Sequence, residues 1–232
     1  MNNKEALKIV KDDGSKIKDL PDHFKKDKEI VLAAIKYKDS FGGKRGGYLL
    51  EFVDDTLKKD KEIVLAAVEN SHGNALEFAD NNLKKDKEIV LAAVKTNSIW
   101  LSDNMPYWMT RKVSNRSLEF ADDSLKKDKE VVLAAVKIEG EAIEFADASL
   151  KKHKEVVLEA LKTYESAIKF ADDNLKKDKK FVLELVKSNS SILKSVDDSL
   201  KKDKEIVLAA VVVVKVIVAH QKALRILPNA SG

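Results

Sequence analysis

Leu125-Lys126-Lys127-Asp128-Lys129-Glu130-Val131-Val132-Leu133-Ala134-Ala135-Val136-Lys137, with Ala142-Ile143-Glu144-Phe145-Ala146-Asp147 close behind it, decides the fold. Versions of its opening phrase begin at Phe24, Leu57, Leu83, Leu125, Leu150, Leu175 and Leu200, at spacings of 33, 26, 42, 25, 25 and 25 residues. A fixed period of this length marks a stack of supersecondary units, and three units carry extra residues.

Within the unit, residues 129–138 are apolar almost all round, which predicts a helix A buried on most sides. Gly140 interrupts it and supplies the backbone freedom of a tight turn. Residues 141–151 then place Ile143, Ala146 and Leu150 at i, i+3 and i+7, one stripe of an amphipathic helix B. The Ala134-Ala135 pair lets neighbouring helices approach closely. A strand fails because Val-Val-Leu-Ala-Ala-Val does not alternate. A continuous coiled coil fails on the Gly, Asp, Asn and Ser punctuation and on the missing heptads.

Residues 3–24 match a degenerate unit, with Gly14 and Ile17 aligned on Gly140 and Ile143; Lys8, where later units have Ala, suits a capping repeat. Residues 206–232 depart from the pattern: the chain runs Val211-Val212-Val213-Val214 and never returns to the Glu-Phe-Ala-Asp phrase. The expectation is all-α: one domain over residues 1–232, an α-solenoid of seven to eight short helical hairpins.

The phrase at 125–137, followed by Ala-Ile-Glu-Phe-Ala-Asp, resembles a bacterial helical repeat family catalogued as a domain of unknown function and seen in effectors of amoeba-dwelling pathogens. The resemblance implies repeats used for contacts, and delivery into a host cell. It carries no catalytic residues over.

Composition narrows the function. Charged residues are 35% and apolar residues 44% of 232, enough to build a core. There is no cysteine, which excludes disulfides and thiolate metal sites. The first residues lack an apolar run of signal-peptide length, so the expected location is cytoplasmic. Residues 206–219 are apolar except for Lys215, short of the ~20 residues a bilayer span needs; they read as a buried terminal helix or a self-association surface rather than a membrane anchor.

The seven phrases hold 21 of the 43 basic residues. Such a ladder of lysines offers one edge to a phosphate backbone. Against that, the Lys-Lys pair closes helix B, the following Asp is an N-cap and the Glu lies in the first turn, a pattern that helix ends alone explain. The net charge is only +4, and no aromatic is interleaved with the lysines to stack on bases. His23, His72, His153 and His220 have no metal-ligand spacing, and no nucleophile elbow, phosphate loop or dinucleotide fingerprint occurs. Carboxylate pairs such as Glu77 and Asp80 recur from unit to unit, as a solvated face does. Neither an enzyme nor a cofactor or metal is expected.

All three insertions fall in the turn between helices A and B: residues 37–48, one residue near Ser71-His72-Gly73, and residues 96–117. Such insertions mark one edge of a solenoid and often its binding face. The third holds Trp100, Met105, Tyr107, Trp108, Met109 and Arg111, residue types enriched at interface hot spots; these are the candidate partner-binding residues, the alternative being that the tryptophans cover their own repeat. Lys44 and Arg45, in a run with four glycines, are a candidate phosphate cradle, the alternative being a plain loop. The expected function is a non-catalytic protein–protein interaction scaffold. A basic-edge binder of nucleic acid or anionic lipid is second.

Overall fold

The computed structural model describes residues 1–38, 46–71, 74–96 and 115–226. Eight A-type helices run through it: α1 (Asn3–Asp12), α2 (Lys28–Lys36), α3 (Lys61–Glu69), α4 (Lys87–Lys95), α5 (Lys129–Ile138), α6 (Lys154–Leu161), α7 (Lys179–Ser188) and α8 (Lys204–Ile226). Each packs on the next, except that α6 meets α7 through the turns between them and through Lys154 over the Phe181 ring, and no strand appears among the described residues. The array is an all-α solenoid, as the period requires.

The helices start where the sequence caps them. Asp128 Oδ1 accepts from the amides of Glu130 (2.9 Å) and Val131 (3.3 Å), and Asp27, Asp60, Asp86 and Asp203 repeat this geometry. Each cap satisfies first-turn donors and contributes about 1 kcal/mol. His153 stands at this position ahead of α6 and makes no side-chain cap.

One broad stripe of each A helix is buried: Val131, Val132, Ala135 and Val136 in α5, Ile30, Val31, Ala34 and Ile35 in α2. The opposite face is open. Leu133 and Ala134 are only half-buried, so helix A is not enclosed on most sides as its composition suggests. The reason is geometric: an A helix in a stack meets a unit before it, a unit after it and the B layer, and its fourth side meets solvent.

The B segment departs further from the expected continuous helix. Residues Gly140–Phe145 form a 3₁₀ helix, Ala146 and Asp147 are extended, and Ala148–Lys151 form a single α turn. Gly140, Ile143 and Ala146 recur every three residues and are all buried, which matches the 3.0-residue turn of a 3₁₀ helix. The break is fixed by Asp147, whose side chain accepts from Ser149 N (2.9 Å) and Ser149 Oγ (2.6 Å), an Asx turn that caps the next helical turn.

Breaking the helix frees backbone groups, and these join the units. The N–H of Asp147 donates to the carbonyl of Lys126 in the preceding unit (3.0 Å). The same bond links Asp54 to Lys25, Asp80 to Lys58, Asp122 to Lys84, Asp172 to Lys151 and Asp197 to Lys176, at 3.0–3.4 Å. Glycine has a related part. A Cβ at Gly140 would overlap the carbonyl oxygen of Ala160 in the next A helix, and one at Gly14 or Gly47 would meet Ala34 or Ala67 in the same way. Close approach between units, rather than freedom in a turn, requires glycine there.

Candidate interaction surface

The phrase lysines do three different jobs. The first of most phrases pairs within its own turn, as Lys58 does with Asp55 (3.0 Å) and Lys126 with Asp123 (3.2 Å), whereas Lys84 and Lys151 donate to the carbonyls of Glu77 (2.8 Å) and Glu144 (2.6 Å). The third reaches into the next unit: Lys28 lies 2.7 Å from Asp60 and 2.8 Å from Glu62, Lys61 2.8 Å from both Asp86 and Glu88, Lys87 2.7 Å from Asp128 and 2.8 Å from Glu130, and Lys179 2.9 Å from Asp203 and 3.0 Å from Glu205. Hydrogen bonding to Lys61, opposed by partial burial, holds the Asp86 carboxyl below its ordinary range. Lys61 is raised by its bonds to Asp86 and then Glu88. Two rungs are incomplete. Lys129 has Glu155 alone because His153 replaces the aspartate, and Lys154 has Asp178 alone because Lys180 replaces the glutamate.

The middle lysines remain. Lys26, Lys85 and Lys177 stand 3.6–4.0 Å from Asp54, Asp122 and Asp197 of the following units. Lys59, Lys127, Lys152 and Lys202 are exposed and have no carboxylate within 4.0 Å among the described residues.

The open side of the A layer is ordered into three rows. Positions one turn apart on each helix give an acidic row (Glu29, Glu62, Glu88, Glu130, Glu155), a leucine row and a basic row (Lys36, Lys95, Lys137, Lys162, Lys187). Leu32, Leu65, Leu91, Leu133 and Leu183 are half-buried, while Leu158 is 43% and Leu208 53% exposed. Glu69 interrupts the basic row and Lys180 the acidic one. The basic row lies at the C-terminal ends of the A helices, next to the A–B turns from which the insertions leave.

At the third insertion the exit and the return of the chain are clamped together. Thr96 Oγ1 donates to the carbonyl of Ala93 (2.6 Å). Asn115, which occupies the position of Gly140, is buried and donates through Nδ2 to the carbonyls of Ala93 (3.0 Å) and Thr96 (2.9 Å), while its Oδ1 accepts from Ser117 N (3.0 Å). Arg116 follows, paired with Glu119 (2.6 Å) and 5.8 Å above the ring of Phe145. Beside them a shallow cavity of about 310 Å³ is lined by Asn115, Arg116, Glu139, Glu141, Ala142, Glu144 and Phe145.

The candidate partner residues Trp100, Met105, Tyr107, Trp108, Met109 and Arg111, and the candidate phosphate residues Lys44 and Arg45, lie outside the described residues. Among the described residues no group of three His, Asp or Glu side chains is placed to hold a metal, and no helix is long and apolar enough to cross a membrane. The sequence reading missed the Asn115 clamp and the cross-unit lysines. The first had a visible signal, since Asn115 stands seven residues before Asp122 as Gly140 stands before Asp147.

No curated protein and no solved structure is significantly similar to the chain. Six segments, residues 5–42, 44–72, 70–104, 112–151, 153–201 and 178–211, match a single family, a domain of unknown function designated DUF4116. Those segments cover most of the sequence and each takes in one or two of the repeating units described above, so the chain belongs to the DUF4116 family.

Proposed function

We propose that this protein is a non-catalytic scaffold that binds another protein along the open side of its A helices, with the third insertion as the anchor. The observation that carries the reading is the leucine row, half-exposed in successive units and flanked by one acidic and one basic row. Such a strip offers a long partner apolar contact in the middle and opposite charges at its two margins, which fixes direction as well as affinity. The residue types at Trp100, Met105, Tyr107, Trp108 and Met109 suit a hot spot, and the Thr96–Asn115 clamp ties together the two ends of the segment that carries them.

The test is capture of binding proteins from a source lysate with three forms of the chain: intact, with Leu65, Leu91 and Leu133 all changed to Glu, and with residues 97–114 replaced by a two-residue turn that keeps Asn115. A partner lost from both altered forms, with helicity retained, supports the reading. Equal capture by all three forms sinks it.

The second reading, a binder of nucleic acid or anionic lipid, draws on the unpaired middle lysines Lys59, Lys127, Lys152 and Lys202. It is weakened by the pairing of most first and third lysines with carboxylates. Affinity that falls steeply with salt would favour it, because phosphate binding releases counterions.

A further inference from the structure

In the interior of the array two apolar positions of most A helices are closed, Leu161 of α6 being half-buried. Val31 and Ile35 of α2, Val64 and Val68 of α3, and Val132 and Val136 of α5 are all fully buried. The same register positions in α8 are Val207, which is half-buried, and Val211, which is 42% exposed. Between α8 and the Ser190–Ser195 turn lies an apolar groove of about 820 Å³, walled by Leu193, Ala210, Val211 and Val214 with Lys194 and Lys215 at its margin. One unit earlier the equivalent place is filled: the Ser190–Ser195 turn packs on both Glu165–Phe170 and α7. Among the described residues nothing fills the groove, which is a seat of the same stacking interface that joins the units.

α8 also runs on. It has 23 residues where the interior A helices have 8 to 10. In that continuation Val212, Val214, Val216, Ile217 and Val218 are 44–62% exposed, so apolar side chains face solvent all round the helix. With Val211 they bare on the order of 600 Å², the upper end of what a monomer's largest apolar patch presents and close to one partner's share of a standard interface.

We propose that a second copy of this chain covers this face, the α8 helices of the two copies crossing antiparallel so that the valine-rich half of each lies in the groove of the other. The place of the groove selects the direction. It is walled on α8 by Ala210, Val211 and Val214, so the residues beyond Val214 of one helix run along the other's groove when the pair is antiparallel and away from it when the pair is parallel. Two identical surfaces related by a two-fold axis close on themselves and form a dimer, not a filament.

Sedimentation of the full chain at about 1–100 µM is expected to show twice the 25.9 kDa of one chain. The double change Val211→Glu and Val214→Glu, both at exposed positions, is expected to return the mass to one chain with the helical circular-dichroism signal retained. Because the chain has no cysteine, Val214→Cys supplies a single thiol near the crossing. Mild oxidation is expected to link it into a covalent dimer, while Leu133→Cys on the open strip stays unlinked. A single-chain mass at about 100 µM, or a dimer that the double Glu change leaves intact, overturns the proposal. So does flotation of a monomer with mixed phosphatidylcholine–phosphatidylserine vesicles, which would give the face to a membrane surface.

Discussion

The backbone N–H of Asp147 donates to the carbonyl of Lys126 one unit earlier, at 3.0 Å, across the seam between two repeats. Asp147 has φ −61° and ψ 149°, and Ala146 ahead of it is extended as well, so proline fits at 147 without backbone strain. Asp147→Ala is expected to cost about 1 kcal/mol for the lost cap. Asp147→Pro should cost about 1–3 kcal/mol more, because it also removes the donor and strands the Lys126 carbonyl. Ala148→Pro, at the first helical position, should be near neutral. Denaturant midpoints of the three variants check the order; equal losses for the first two would show that the seam bond contributes nothing.

His153→Asp is a predicted stabilising change. It gives α6 the missing cap and Lys129 a second carboxylate, since Glu155 is now its only partner. The gain expected is about 1 kcal/mol, or roughly 2–4 °C in melting temperature for a chain of this size. An unchanged or lower melting temperature would show that the vacant cap is satisfied by water at no loss.

The ladder sets a pH window. Asp86, Asp128, Asp178 and Asp203 are held below the ordinary carboxylate value, each first of all by its lysine partner. Groups with a depressed folded pKa contribute stability that is complete above the unfolded value, about 3.9, and is lost as pH falls through the folded one. Lys61, Lys87 and Lys179 are raised by their carboxylate bonds. Their contribution is complete below the unfolded value, about 10.4, and is lost as pH rises through the folded one. Melting temperature is therefore expected to be level between about pH 5 and pH 9 and to fall on both sides. Because the pairs are partly exposed, 1 M salt should lower the plateau only slightly. A melting temperature that climbs steadily from pH 5 to pH 9 would contradict the ladder.

Asn115→Ala is expected to destabilise the array by about 1–3 kcal/mol, since it takes the buried Nδ2 donor from the Thr96 and Ala93 carbonyls, of which only Ala93 keeps Thr96 Oγ1, and the Oδ1 acceptor from the Ser117 amide. Arg116→Ala, at the exposed neighbour, should cost about 0.5 kcal/mol or less. Amide exchange in α4 is the measurement: faster exchange confined to its last turn in the Asn115 variant confirms the clamp, and the same effect from both variants refutes it.

Much of this architecture is legible in residue order because it is local. An aspartate two residues ahead of a glutamate and an apolar run starts a helix wherever it stands, and the spacing of Leu125, Leu150, Leu175 and Leu200 gives the unit without any reference to space. The split of the B segment was signalled too, by Asp-x-Ser-Leu at 147–150 and its counterparts, but an i, i+3, i+7 reading of Ile143, Ala146 and Leu150 hides the three-residue step from Gly140 to Ile143 to Ala146. What residue order does not disclose is contact across the seam. Lys28 meets Asp60 and Glu62, and Gly140 meets Ala160, only once helix crossing and stacking distance are fixed. The candidate insertion residues between Trp100 and Arg111 lie outside the described residues, so of that site only the flanking Asn115 and Arg116 have a structural account.

The seam has the same chemistry whatever the loops beside it contain. Across the third insertion, Asp122 still bonds Lys84 and Lys87 still reaches Asp128 and Glu130. Units are thus interchangeable parts: recombination between any two Leu-Lys-Lys-Asp-Lys-Glu phrases joins a lysine and a carboxylate pair that already fit one another. Gain or loss of units then changes the reach of the molecule in whole steps, like sections added to a rule, while each loop keeps its own sequence and its own freedom to diverge.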